Sequence, residues 1–259
     1  MGCVTTQRLA SRRERPHCSG PRKILDLFSR SVETSTRMQW TDAMRSAIPM
    51  PDNPWPHDMT ITVEDRPHAL LELLWLREAH SLNPDGEDLP PHLVRTPVPA
   101  ATAVYQATRA RWSRGWSGVW DEVLAHAGTE PDRALVDNVF SAEASDPDRA
   151  RLLRQLTGPS VSDQFGAEVF DDATYQEWDR LGFESHVASR PTVLANSPER
   201  RSVAVLADAW RRGLTKVVTV PCVGTHVRQI GPHALLVTEE VRGDRAAYEN
   251  ALRSFAPAV

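Results

Sequence analysis

The sequence predicts an α+β protein with a mainly helical body and a C-terminal unit made of a helix, a three-stranded antiparallel meander and a second helix. Two patterns carry this prediction. Apolar residues recur at spacings of three, four and seven in much of the chain before residue 212, as they do along one face of an α-helix. Short β-branched runs separated by glycine-containing turns then follow between residues 216 and 238.

The first predicted helix begins after Asp65, which is interpreted as its N-cap because a proline follows at position 67. A leucine-rich run carries the helix to about His80, and the density of leucine indicates burial on more than one side. The turn-forming residues 83–86 end it, and residues 81–99 are predicted to form a proline-rich loop.

The second predicted helix runs from about Ala100 to His126, with Gly128 as its stop. One stripe of this helix carries large apolar residues, namely Tyr105, Trp112, Trp116, Val119, Trp120 and Val123. The stripe is interpreted as core; a stacking platform for a ligand or base, flanked by Arg109, Arg111 and Arg114, is the alternative. Gly115 and Gly118 are interpreted as places where a neighbouring element comes close.

Shorter helices are predicted at 131–140, 147–156 and 171–181, and Asp146–Pro147 and Asp171–Asp172 supply the start signals of the last two. A longer helix is predicted from Pro198 to Arg212 with Ser197 as its N-cap. Three strands, 216–220, 225–230 and 234–238, are then predicted to pair as a meander through two-residue turns at Val223–Gly224 and Gly231–Pro232. A closing helix over 245–255, capped by Asp244, completes the prediction.

The register of this meander predicts what lies on each of its faces. Strand alternation assigns one face to apolar residues: Val218, Val220, Cys222, Val227, Ala234 and Leu236. The other face carries Thr219, His226, Arg228 and His233, with Thr219 opposite Arg228. We interpret these four residues as a candidate binding site for a small anion such as phosphate or carboxylate. An ordinary half-exposed polar sheet face remains the alternative.

A metal site on the hairpin is not predicted. In the same register His226 and His233 lie about 13 Å apart along the strand, too far to share an ion. Cys222 falls on the apolar face, which is typical of a small buried residue. The sequence also lacks a nucleotide-binding glycine loop, a nucleophile elbow and a zinc-protease motif, so we predict no cofactor and no metal.

Charge and composition predict the domain organisation. Residues 1–37 carry a net charge of +5 within a chain of net charge −4, so the rest carries −9. Residues 1–58 are predicted to be a disordered extension. Residues 59–257 are predicted to form a single domain, comprising a helical body over 59–195 and a helix–meander–helix unit over 196–257.

Three cysteines without a pairing pattern indicate a reducing compartment, and we expect a cytoplasmic protein. The strong excess of arginine over lysine is typical of a GC-rich bacterium. No apolar run is long enough for a membrane span.

Three functional hypotheses follow, and the sequence places none in a known family. The first is a non-enzymatic binding or interaction protein, with a small anionic ligand or a protein as its partner. The second is an enzyme of unidentified class with the anion site on the C-terminal hairpin. In the third, the helix 198–212 and its hairpin are similar to the end of a winged-helix domain, and Arg200, Arg201, Arg211 and Arg212 contact DNA phosphates. The apolar middle of that helix and the negative net charge make nucleic acid an unlikely partner.

Overall fold

The computed structural model describes residues 54–130, 133–141 and 147–256. Nearly all of the extension predicted to be disordered lies outside the described residues. Within residues 54–58, the Nε1 of Trp55 donates a hydrogen bond to the carbonyl of Met59 at 3.0 Å.

The protein has the predicted α+β fold, in which helices dominate and one small sheet is central. The strands are β1 (Thr62–Glu64), β2 (Lys216–Val220), β3 (Val227–Gln229) and β4 (Ala234–Thr238). The helices are α1 (His68–Ala79), α2 (Gln106–Ala127), α3 (Arg133–Ser141), α4 (Pro147–Thr157), α5 (Val161–Phe165), α6 (Ala173–Ser189), α7 (Pro198–Arg201), α8 (Val203–Arg211), α9 (Glu239–Gly243) and α10 (Arg245–Ser254). Short 3₁₀ helices lie at Ala167–Asp171 and Leu194–Asn196. Among the described residues, no helix is long and apolar enough to cross a membrane.

The sheet is mixed, and the predicted three-stranded antiparallel meander is wrong. The strand order is β1-β2-β4-β3; β1, β2 and β4 are parallel, and only β3 and β4 pair antiparallel. The predicted turn at Val223–Gly224 does not form a hairpin, because the chain there bonds to the loop before α2: Cys222 bridges to Leu93, and the Val223 amide donates to the His92 carbonyl. After β2 the chain therefore passes the place in the sheet that β4 occupies, forms β3 at the outer edge and returns as β4 between β2 and β3.

The β3–β4 hairpin itself is confirmed, but its loop is longer than predicted. The amide of Ile230 donates to the carbonyl of Ala234, so three residues, 231–233, connect the strands instead of two. β1 was not predicted, because three residues between the proline-rich segment and a helix give too short a pattern to distinguish a strand from a loop.

Two apolar cores pack on opposite faces of the sheet. On the first face, Val218, Val220, Cys222, Ala234 and Leu236 join side chains from α1, α2, α5 and α6. On the second face, Val217, Leu235 and Val237 pack against α8, α9 and α10. The predicted apolar face is therefore confirmed except for Val227, which pairs with Val237 and so lies on the second face.

The tryptophan stripe of α2 belongs to the first core. Trp112, Trp116 and Trp120 are at most 4% exposed, and Trp116 stacks on Trp120 with ring centroids 5.2 Å apart. These rings are covered by protein, which confirms the core interpretation except for Tyr105, which precedes α2 and is 87% exposed. The close approach expected at Gly115 and Gly118 is wrong, because a Cβ built on either glycine would meet nothing within 4 Å.

The predicted helix starts are partly confirmed. Asp172, Ser197 and Asp244 each cap the helix that follows with a side-chain oxygen. The predicted helix over 198–212 is interrupted at Ser202, which divides it into α7 and α8. Asp65 does not cap α1, whose N-cap is Pro67, so the Asp65 carboxylate is free to contact another element.

Candidate active site at the carboxyl ends of the parallel strands

The four residues predicted as an anion site do not share one face. Thr219 pairs with Val237, lies on the second face and is completely buried. Arg228 pairs with Leu236 on the first face, and its guanidinium lies 3.3 Å from the carboxylate of Asp121 on α2. The prediction that Thr219 lies opposite Arg228 is wrong, because β4 lies between β2 and β3 and these two strands are therefore not neighbours.

The two histidines of that prediction are also separated. His226 precedes β3 on the side of Arg228; burial, and then Arg228, lower its pKa, and its Nε2 is buried without a hydrogen-bond partner. His233 lies in the hairpin loop, where its Nδ1 is 3.0 Å from the carbonyl of Gly213. Only His226 and Arg228 therefore remain side by side, and Asp121 already neutralises the guanidinium.

A larger group of polar side chains gathers where the three parallel strands end. Parallel strands bring their carboxyl ends to one edge of a sheet, which is where ligands bind in open parallel sheets. Asp65 and Arg66 directly follow β1, and Glu239 begins α9 directly after β4. Side chains from α6, α7 and α9 complete the group. We call it the carboxyl-end cluster: Asp65, Arg66, Asp179, His186, Arg190, Glu199, Glu239 and Arg242.

The centre of the cluster is a contact between His186 and Asp65. The His186 Nε2 lies 3.3 Å from an Asp65 carboxylate oxygen, and the two side chains are 10% and 26% exposed. Arg190 approaches the same nitrogen, with its Nε 3.3 Å away. The hydrogen bond at this nitrogen comes from Arg190, whose Nε–H donates to it, so in the neutral ring Nε2 carries the lone pair and Nδ1 carries the proton.

The protonation state of His186 follows from its surroundings. Burial lowers its pKa below the ordinary 6.5, Asp65 opposes this, and the positive charge of Arg190 lowers the pKa further. The imidazole is consequently neutral at pH 7. A neutral imidazole can accept a proton at the nitrogen that carries its lone pair.

A second titratable group, Glu239, lies beside the same aspartate. Burial raises the pKa of its carboxyl, Arg66 lowers it, and Asp65 raises it. No described residue forms a hydrogen bond or ion pair with the Glu239 carboxylate, and part of its side chain is open to solvent. Glu239 is therefore available to exchange a proton with a bound molecule.

The remaining charges of the cluster are paired. Arg66 donates to both the side chain and the backbone carbonyl of Asp179. Arg242 binds Glu199 through two hydrogen bonds of 2.8 and 3.2 Å, and the buried hydroxyl of Tyr248 donates to the same carboxylate at 3.4 Å. Burial raises the pKa of Tyr248 well above 10, so this hydroxyl keeps its proton.

Perturbed ionisation is concentrated in and around this cluster. Groups whose pKa responds to its charges include Glu72, Tyr175, His186, Glu239, Arg242 and Tyr248. Such concentrations are typical of functional sites, where burial and neighbouring charges act on the same groups. Within the described ranges, no group of three or more histidine, cysteine, aspartate and glutamate side chains is arranged to hold a metal ion.

A separate open groove of about 350 Å³ lies between β3 and α10. Its lining is mainly small or apolar: Thr225, Val227, Val241, Ala247, Asn250, Ala251 and Ser254. β3 is an outer strand, and its antiparallel pairing with β4 turns the backbone groups of Val227 and Gln229 away from the sheet.

The arginines of the winged-helix hypothesis all have partners within the protein. Arg201 and Arg212 donate to the carbonyls of Gly243 and Leu252, Arg211 pairs with Asp208, and Arg200 stacks over Trp55. In addition, β4 is paired on both sides, so the hairpin is not a free wing. The geometry therefore does not support this hypothesis.

Sequence reasoning missed the centre of the cluster. Asp65 was interpreted as a helix cap, and Glu239 was assigned no role. The usable signal was a polar residue placed directly after a strand, but for Asp65 that signal required recognising β1. His186 carried no signal at all, because only the packing of α6 brings it to Asp65.

No protein-family model, curated protein or solved structure matches the chain.

Proposed function

We propose that the protein is an enzyme that carries out acid–base catalysis at the carboxyl-end cluster, with His186 as the general base. The observation that carries the proposal is the Asp65–His186 contact at the edge where β1, β2 and β4 end. Removal of a proton by a positioned imidazole is worth about 10²- to 10⁴-fold in rate.

Each residue has a role that its surroundings support. Asp65 orients the imidazole and stabilises it once it is protonated. His186 accepts a proton at Nε2 from water or from a substrate hydroxyl, which takes the place of the Arg190 Nε–H at that nitrogen. Glu239, whose pKa is raised, returns a proton to the leaving group, and the exposed guanidinium of Arg190 favours a substrate that carries or develops negative charge.

This set of groups favours hydrolysis by an activated water molecule. The cluster contains no cysteine or serine, and the thiol of Cys222, the cysteine within the described residues, is a poor nucleophile because burial raises its pKa to about 12. The substrate class we propose is a small ester or phosphoester.

A panel of p-nitrophenyl esters and phosphoesters tests the proposal. We expect His186→Gln to lower kcat by about 10²-fold or more on the hydrolysed member of the panel. We expect Asp65→Asn to lower it as well, and the wild-type rate to rise with pH as His186 loses its proton. His92→Gln is the matched control, since its Nδ1 lies 2.8 Å from Glu78 but outside the cluster. No hydrolysis of any member, or hydrolysis that survives His186→Gln, would contradict the proposal.

A non-enzymatic interaction protein remains the second candidate. The groove beside β3 favours it, because an outer strand with outward-facing backbone groups can accept an extended peptide as a further strand. The anion site predicted on the hairpin is retained only as the pair His226 and Arg228, and an anion there would have to displace Asp121.

The proposed compartment is the cytoplasm. The support is limited to cysteine chemistry: Cys222 is buried with a free thiol, as is usual in a reducing environment.

A further inference from the structure

We propose that Arg66 is a positioning residue, which fixes α6 against the connection between β1 and α1 and thereby holds His186 against Asp65. This inference rests on the proposed function, because it concerns the residue assigned there as the base. It concerns geometry, however, so it can be tested without a substrate.

The first support is the arrangement of one face of α6. Asp179, Gly182 and His186 follow one another at helical spacings of three and four residues, so they lie along one side of the helix over two turns. That side faces the two consecutive residues Asp65 and Arg66: Arg66 contacts Asp179, and Asp65 contacts His186. The two contacts attach α6 to the same short segment of chain.

The second support is the space above Gly182. A Cβ built there would lie 3.1 Å from Arg66 Nη1, closer than an ordinary contact, so a side chain at this position would require the guanidinium to shift. The glycine is not required by its backbone, which is helical. Its cost within a helix, about 1 kcal/mol relative to alanine, is understandable if the space serves Arg66.

The third support is the form of the Arg66 contact. Its Nη2 donates to the Asp179 carboxylate and also lies 3.4 Å from the Asp179 backbone carbonyl, so it engages the helix main chain as well as a side chain. The Asp179 side chain is 40% exposed, and ion pairs with that exposure add little stability. The consequence of the contact is therefore mainly the orientation of α6. The charge of Arg66 also lowers the pKa of His186 and of Glu239.

The experiment measures the coupling between Asp65 and His186. The pKa of His186 is followed by NMR of the imidazole, whose signal is assigned by its loss in His186→Gln. In the wild-type protein, Asp65→Asn removes a carboxylate next to the ring, and we expect the pKa to fall by about 1. The same substitution is then made in three backgrounds: Asp179→Asn, Gly182→Ala and Gly118→Ala.

A positioning role predicts that the effect of Asp65→Asn disappears in the Asp179→Asn and Gly182→Ala backgrounds. Gly118→Ala is the matched control: it is also a glycine within a helix, but an added Cβ there meets nothing within 4 Å, so the full effect should persist. If Arg66 acted only through its charge, Asp179→Asn would leave the effect in place.

An undiminished effect in both backgrounds would overturn the inference. Circular dichroism checks that each variant is folded, and if Gly182→Ala fails to fold, Asp179→Asn decides alone. The test of the proposed function is independent of this one. A protein that hydrolyses no ester can still show the coupling between Asp65 and His186, and a hydrolase can lack that coupling.

Discussion

Trp116 lies at the centre of the first core and illustrates what a buried aromatic side chain contributes to this fold. It is 0% exposed, its Nε1 donates to the carbonyl of Leu73 at 2.8 Å, and Arg77 stacks on its ring. A side chain of this size fills space that its neighbours cannot close when it is removed.

We expect Trp116→Ala to lower the free energy of unfolding by about 3–5 kcal/mol, through lost burial and a new cavity. Urea denaturation followed by circular dichroism measures the change. Tyr105→Ala is the control, since that aromatic residue precedes the same helix and is 87% exposed. Equal losses for the two variants would mean that the stripe is not core.

His80 is a buried titratable residue outside the candidate site. Its ring lies edge-on between Trp75 and Trp112 with centroid distances of 5.7 and 5.2 Å, and its Nε2 has no hydrogen-bond partner. Burial lowers its pKa; Asp172 opposes this and Arg109 adds to it. The folded state therefore holds the ring neutral, whereas the unfolded chain binds a proton below about pH 6.5.

Stability should consequently fall as the pH drops from 7.5 to 5.5, because the unfolded chain then binds more protons than the folded one. We expect His80→Leu to reduce this fall by about 1 kcal/mol at pH 5.5. The loss of stability that persists in this variant comes from His186 and His226, whose pKa values burial also lowers. The measurement is a series of urea midpoints against pH. The fall should be unchanged in His92→Leu, because that side chain is 80% exposed; an equal effect of both substitutions would show that burial of His80 is not its cause.

At the scale of elements, local sequence signals were sufficient wherever an element is determined by its own residues. The caps at Asp172, Ser197 and Asp244 and the strands β2 and β4 were predictable because N-caps and β-branched runs are local. The pairing of β2 was not predictable. Two valine-rich strands fit a hairpin equally well, and the parallel arrangement depends on Cys222 and Val223 bonding to a loop far away in the chain.

An ion pair between Glu199 and Arg242 connects α7 and α9, beside a hydrogen bond from Arg201 to the carbonyl of Gly243. The side chains of Glu199 and Arg242 are largely buried, at 10% and 20% exposure, and the Tyr248 hydroxyl also donates to the Glu199 carboxylate. Removing one partner of a pair that is this buried leaves the other charge without compensation.

We expect Glu199→Gln to lower the free energy of unfolding by about 3 kcal/mol. Glu184→Gln is the matched control, because it breaks a pair with Arg180 in which both side chains are more than half exposed. The control should cost at most about 1 kcal/mol. Thermal or urea denaturation of the two variants gives the comparison, and similar small losses would show that the Glu199 pair does not hold α7 and α9 together.

At the scale of the whole molecule, the sheet separates two cores, and the carboxyl-end cluster lies at its edge. This location explains why the candidate site escaped sequence reasoning although the α+β class did not. The class follows from periodicity within segments. The cluster combines residues that follow β1 and β4 with residues from α6 and α7, and these meet only after strands distant in sequence have paired.

The α3–α4 pair is the part of the molecule least involved in this arrangement. Among the described residues, neither core contains a side chain from α3 or α4, although Val139 of α3 is buried. The chain segments before α3 and after α4 also lie next to each other: a Cβ on Gly158 would lie 2.2 Å from the ring of His126. A short linker can therefore replace the α3–α4 segment.

We therefore expect a chain in which a short glycine–serine linker replaces residues 131–155 to fold cooperatively and to keep the pKa of His186. Each halving of the connection lowers the entropy cost of closing it by about 0.6 kcal/mol, which offsets part of the lost contact. Urea denaturation and the imidazole NMR signal provide the two measurements. If the sheet and both cores are sufficient for the fold, unfolding remains a single transition. If the shortened chain does not unfold in a single transition, residues 131–155 contribute to the stability of the two cores, and the expectation is wrong.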